Sequence, residues 1–181
     1  MTKWVTRGVI NGVKRILIVG LTVTAALLAV PGGAGAAPPI TDTQVEKFSE
    51  TFSDEPFLCQ EELYEQTVTG QMVTHITAAG LDEDGNPILP LHFHFLVHAQ
   101  VVAVPLDGTG PTYIGHFRSS DTESIRNVKQ GDVFVETDTD HNKVVAKGSD
   151  GSTVQLQEHH HFTVNANGEV TVEFEKVSAS C

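Results

Sequence analysis

Residues 91–98 read LHFHFLVH, and how that row is read decides the fold. Leu91, Phe93, Phe95 and Val97 take the odd positions, while His92, His94 and His98 stand on even ones. Side chains along a strand point alternately to its two sides, so the row predicts a strand with one apolar and one imidazole face. Followed outward over residues 88–104, the odd positions also include Leu89, Ala99, Val101 and Ala103, and none is polar. So long an apolar row marks a core face, which leaves the histidines on its reverse.

The same period of two recurs. Over residues 153–164, Val154, Leu156, Phe162 and Val164 alternate with Gln155, Gln157, His159, His161 and Thr163. Over residues 169–177, Val170, Val172 and Phe174 alternate with Thr171, Glu173 and Glu175, the pattern of a half-buried strand. Weaker alternation covers residues 63–78, 112–118 and 133–147, and Val, Thr and Phe are plentiful, as strands prefer. Residues 44–52 fit helix or strand, and their neighbours favour strand. Turn signals (DEDGNP, LDGTGP, GSDGS, NANG) separate the segments, and the Asn-Gly of the last predicts a type I′ hairpin. The expectation is an all-β chain of six to eight antiparallel strands forming a single barrel, with a β-sandwich as the alternative. Long strands favour the barrel, whose closure would also remove exposed edges.

The N-terminus predicts export. Lys3, Arg7, Lys14 and Arg15 precede the apolar run of residues 16–30, and the small-residue stretch PGGAGAA follows. That order is a secretory signal peptide of residues 1–36, cut after Ala36, and the apolar run is short for a membrane span. Residues 37–42 then read as a linker and residues 43–181 as one domain. Removing the leader takes four of the 11 Lys+Arg and none of the 23 Asp+Glu, leaving 7 − 23 = −16. So acidic a mean charge disfavours nucleic acid and anionic membrane as partners and leaves cations or basic surfaces open. Cys59 and Cys181 are the only cysteines. In an oxidising extracellular setting they predict one disulfide tying the last residue to the start of the domain.

The segment HFTVNANGEVTVEF running to a terminal Cys, with the earlier PLDGTGPTYIGHF, resembles a group of small secreted proteins of actinobacteria. That group shares an early Cys, a central Gly-x-Gly…Tyr-x-Gly pattern and a closing Cys. The resemblance covers the mature chain and implies an exported β-protein. The group has no established catalytic residues, so none is carried over.

Nine histidines are the chemical lead. A His-x-His pair on a strand sets two imidazoles side by side, and a third ligand from a neighbouring strand would complete a Zn, Cu or Ni site. His92 and His94, with His75 or His161, are the candidates. A solvent-facing row of histidines is the simpler reading, because Ala99 and Gln100 follow His98 where a carboxylate ligand would be needed. His160, among Val154, Leu156 and Phe162, reads as a core histidine or the mark of a bulge. The acidic runs DEDGN, residues 82–86, and DTDHN, residues 138–142, read as polar turns, since neither carries a calcium-hand loop. Nucleophile and phosphate-loop motifs are missing. The expected function is a non-enzymatic binding or interaction module. The alternatives are a metal-binding protein or metal-dependent enzyme, and a barrel carrying a small apolar ligand in its lumen.

Overall fold

A computed structural model of the chain describes residues 39–82, 87–127 and 134–181. The expected leader, and DEDGN beyond Asp82, lie outside the described residues. Strands β1 (Ile40–Pro56), β2 (Leu63–Leu81), β3 (Pro87–Pro105), β4 (Tyr113–Asn127), β5 (Phe134–Gly148), β6 (Thr153–Val164) and β7 (Val170–Ser180) follow one another. They form one seven-stranded sheet in chain order, each strand antiparallel to the next. The all-β, antiparallel expectation holds. Residues 44–52 are strand, and β1 begins inside the stretch read as a linker. The face assignment of β3 holds too: Phe95, Val97, Ala99, Val101 and Ala103 are buried, while His92 and His98 are exposed.

The closed barrel is not what the pairing shows. β1 bonds only to β2 and β7 only to β6, so both remain edges. An up-and-down run with an odd number of strands leaves the first and last parallel. Closure would therefore need a parallel pair in an otherwise antiparallel ladder. The sheet nevertheless coils around its own core, for Val101 is 1% exposed, Ala103 0%, Val144 1% and Val154 1%. A covalent bond does what hydrogen bonding does not. Six steps of about 4.8 Å would hold the edges of a flat sheet ~29 Å apart. Yet Cys59, just after β1, and Cys181, just after β7, form a disulfide with their Cα atoms 6.3 Å apart.

At that end the connection after β1 folds inward as a plug. Phe57 and Leu58 are buried, and the Phe57 ring lies 6.0 Å from Tyr64 and 5.3 Å from Tyr113. Leu58 takes φ 50°, a left-handed conformation that a leucine adopts only when its surroundings compel it. Coiling crowds the core-face Cβ atoms where curvature is tight. A Cβ on Gly70 would run into the backbone of Ala99, and one on Gly115 into that of Ala146. Both positions therefore require glycine.

Three local expectations are corrected. The NANG hairpin forms, but only Gly168, φ 77°, is left-handed there, and Asn167 is not. The turn closes through Gly168 N–H to the Asn165 carbonyl, 2.9 Å, a type I turn followed by a glycine bulge instead of type I′. DTDHN is not a turn but the middle of β5. Finally, Val172 and Phe174 of β7 are exposed on the histidine side of the sheet, because they stand opposite Thr163 and His161. Glu173 and Glu175 take the core face instead.

Replacing both cysteines by serine should free the edges. The 122-residue separation corresponds to at most ~4–5 kcal/mol, or roughly 8–15 °C in Tm. Thermal unfolding of residues 37–181 followed by circular dichroism measures this. A loss below about 3 °C would mean that the coil holds without its clasp.

Candidate functional site

Register, not sequence proximity, decides which histidines meet. His75 on β2 stands directly opposite His94 on β3, with ring centroids 6.1 Å apart. Thr43 Oγ1 lies 2.9 Å from His75 Nδ1, and Ser120 Oγ lies 3.3 Å from His94 Nε2. The same row continues through Thr122 and Thr139 to His161, whose Nδ1 is 2.7 Å from Thr139 Oγ1. His161 is thus three strand spacings, roughly 14 Å, from His94. Metal–nitrogen bonds are about 2 Å long, so one ion cannot span that gap. His92 lies two residues from His94 on the same face, opposite Thr77 and Ser124. The structure thus joins His75 to His94, sets His92 beside them and leaves His161 apart. Among the described residues no group of three or more His, Cys, Asp or Glu could hold a metal ion.

A second pair was not singled out from the sequence. His141 on β5 and His159 on β6 are opposite in register and stack at 3.9 Å, with Phe174 edge-on to His159 at 5.3 Å. Desolvation, then the charge of His141, His161 and Lys176, holds the His159 imidazole below its ordinary range. His160 faces the core side, opposite Asp140 and Glu175, in unbroken register; no bulge re-aims it.

Tracing every rung separates the charges by face. The histidine face carries Lys47 on β1, Arg118 and Arg126 on β4, Lys143 and Lys147 on β5, and Lys176 on β7. Glu65 is the one acid among its paired residues whose side chains are described. The core face holds Asp42, Glu46 and Glu50 on β1, Asp121 and Glu123 on β4, and Glu136, Asp138 and Asp140 on β5. Glu158 on β6 and Glu173 and Glu175 on β7 complete it, and no Lys or Arg is paired there. Moving away from the disulfide, the core face changes from Phe117–Val144–Leu156, through the buried row Ser119–Asn142–Glu158, to Asp121–Asp140–His160.

The carboxylates coexist by keeping protons. Desolvation first, then the charge of Asp138, a hydrogen bond to it, and the charges of Asp140 and Glu123 push Asp121 up to about 8. Burial, followed by Glu136 and Asp138, raises Glu123 as well. Asp121 thus keeps its proton well above the ordinary carboxylate range, which is how like carboxyls side by side avoid double ionisation. Asp140 accepts a hydrogen bond from Asn142 Nδ2 at 2.8 Å. Sequence reasoning missed this cluster because its members meet only across β4 and β5.

Comparison of the chain with family models, curated proteins and solved structures finds no match. The actinobacterial resemblance therefore rests on its turn, strand and cysteine pattern alone. Among the described residues no helix is long and apolar enough to cross a membrane.

Asp121 reverses the usual carboxylate linkage. Its folded pKa of about 8 lies above the ordinary 3.8, so between those values the folded chain holds a proton that the unfolded chain releases. Stability therefore falls as pH rises from about 4 to about 8 and levels off beyond. Asp121→Asn should flatten that slope and raise Tm near pH 8 by about 2–6 °C, a range discounted for partial solvent screening. Melting curves of both proteins across this range are the check, and parallel Tm–pH profiles would refute the retained proton on Asp121.

Proposed function

We propose that the chain is an exported, non-enzymatic binding module that docks through its histidine face onto a net-anionic phosphodiester surface, more tightly as the medium acidifies. The segregation of charge carries this reading. On that face the paired lysines and arginines against Glu65 give 6 − 1 = +5, and eight of the nine histidines would bring 5 + 8 = +13 when protonated. The net charge of −16 expected for the exported chain sums two unlike surfaces. The faces of a sheet with their side chains are separated by about 10 Å, and charges in physiological salt are screened beyond about 8 Å. A ligand on the histidine face responds chiefly to that face. Imidazole is the side chain whose charge ordinarily changes between pH 5 and 8, which supplies the acid dependence.

Export is supported by the leader-like N-terminus and is compatible with the disulfide, which oxidising compartments maintain. The coil itself reads as a barrel fastened at one end by Cys59–Cys181. A lumen for apolar ligands fits it poorly. One end is plugged by Phe57, Tyr64 and Tyr113, and the other is walled by Asp121, Glu123 and Asp138. A second reading, a transition metal held by the His75–His94 pair alone with solvent completing the sphere, draws on the 6.1 Å ring separation.

Sedimentation of the exported form with phosphatidylglycerol or phosphatidylcholine vesicles tests the docking. Binding to phosphatidylglycerol should be at least ~10-fold tighter near pH 5.5 than near pH 7.5. Lys143→Glu with Lys147→Glu should weaken it by about 10-fold or more, and phosphatidylcholine should bind at neither pH. Equal binding to both lipids, or indifference to the charge reversal, would exclude the proposal.

A further inference from the structure

We infer that the histidine face contains a discrete phosphate-binding cleft between β3 and β4, formed by His98, Gln100, His116 and Arg118. The inference rests on the docking reading for its setting but can fail separately from it. An open cleft of ≈ 270 Å³ lies there, lined by these side chains over Ala99 and Phe117. The register explains its shape. His98 is directly opposite Arg118, and Gln100 directly opposite His116. Alternate residues on one strand lie about 6.6 Å apart, and paired residues across strands about 5 Å. Four donor-bearing tips therefore bracket a spot the width of one tetrahedral oxyanion. Arg118 offers a planar fork, each imidazole an N–H and Gln100 an amide NH₂, which suits the tetrahedral oxygens of a phosphate better than a planar carboxylate.

The surroundings leave that positive charge unanswered. Lys143 on β5 stands directly opposite Arg118 on the other side, an arrangement that costs stability when like charges face each other. Gln71 and Thr69 flank the cleft from β2, with Lys47 beyond Gln71 on β1, and Val145 flanks it from β5. No carboxylate is among these neighbours. Glu65, on the same face, stands opposite Val104, four residues and roughly 13 Å along β3 from Gln100. A bound phosphate would relieve the Arg118–Lys143 repulsion and satisfy all four donors at once. Phosphate can reach the cleft free or as a lipid head group, and the chemistry of recognition is shared.

Proton NMR of the imidazoles in the exported form, titrated with inorganic phosphate near pH 6, tests the cleft. His98 and His116 should shift together and saturably, with His92 and His161 little affected. Arg118→Gln, an exposed substitution whose fold is checked by circular dichroism, should weaken phosphate at least about 10-fold. His75→Asn with His94→Asn should leave phosphate affinity unchanged. Uniform shifts of all histidines, or wild-type affinity in Arg118→Gln, would overturn the inference. Phosphatidylglycerol vesicles added to the phosphate-saturated protein separate the two sources. Displacement of the protein by phosphate assigns the cleft to head groups, and vesicle binding beside occupied clefts assigns it to free phosphate. Saturable phosphate binding with no vesicle binding would retain the cleft and dismiss the docking.

Discussion

The bond between Cys59 and Cys181 ties together the two edges of a sheet that its own hydrogen bonds leave open. Seven strands in chain order put β1 and β7 at opposite edges and parallel to each other, so the antiparallel ladder has no continuation from one to the other. Only at the disulfide end are the edges fastened, and there the interior is aromatic and aliphatic. Phe57, Leu58, Tyr64 and Tyr113 fill it, and the glycines at 70 and 115 let the walls approach. The apolar core is therefore concentrated where the coil is fastened, and with distance from the clasp the same face passes into Ser119, Asn142 and Glu158 and then into carboxyls.

That gradient accounts for the two charge populations. A core face that is wholly enclosed cannot carry ionised acids without partners. A face that opens can carry them if they are half-solvated and hold some protons back, as Asp121 does. Cations have no such route inward here and are confined to the reverse, where histidine joins them at little cost. A chain with a strongly negative mean charge thus presents a basic, imidazole-rich surface, and mean charge is a poor guide to what that surface meets.

How much of this was legible in the sequence depends on which question is asked of period two. Within β3 the odd row is so uniformly apolar that alternation and burial coincide, and LHFHFLVH placed Phe95 inward and His92 outward correctly. In β7 the alternation is as clear, yet Val172 and Phe174 face out, because alternation separates two faces without saying which one meets the core. Pairing with Thr163 and His161 decides that. DTDHN has the composition of a turn, but Asp138 and Asp140 lie on one face of a strand beside Asp121. The pairs that matter chemically, His75 with His94, His141 with His159, Arg118 with Lys143 and Asp121 with Asp138, are all cross-strand. Register is set by turns and bulges far from them, so no local motif announces them. The disulfide was legible because two cysteines admit a single intramolecular pairing.

The two faces respond to acid in the same direction for different reasons. On the core face, lowering the pH returns protons to carboxyls that the fold already favours in their protonated form, so the coil gains stability where it is otherwise least secure. On the reverse, it adds charge to imidazoles set among lysines and arginines, which increases repulsion within the face. Taken alone, the second effect would strain the sheet as pH falls. Because the first grows over an overlapping range, it offsets that repulsion, and the fold can charge its histidine face without coming apart. The one imidazole on the core side, His160, stands between Asp140 and Glu175, the only histidine set among acids instead of bases.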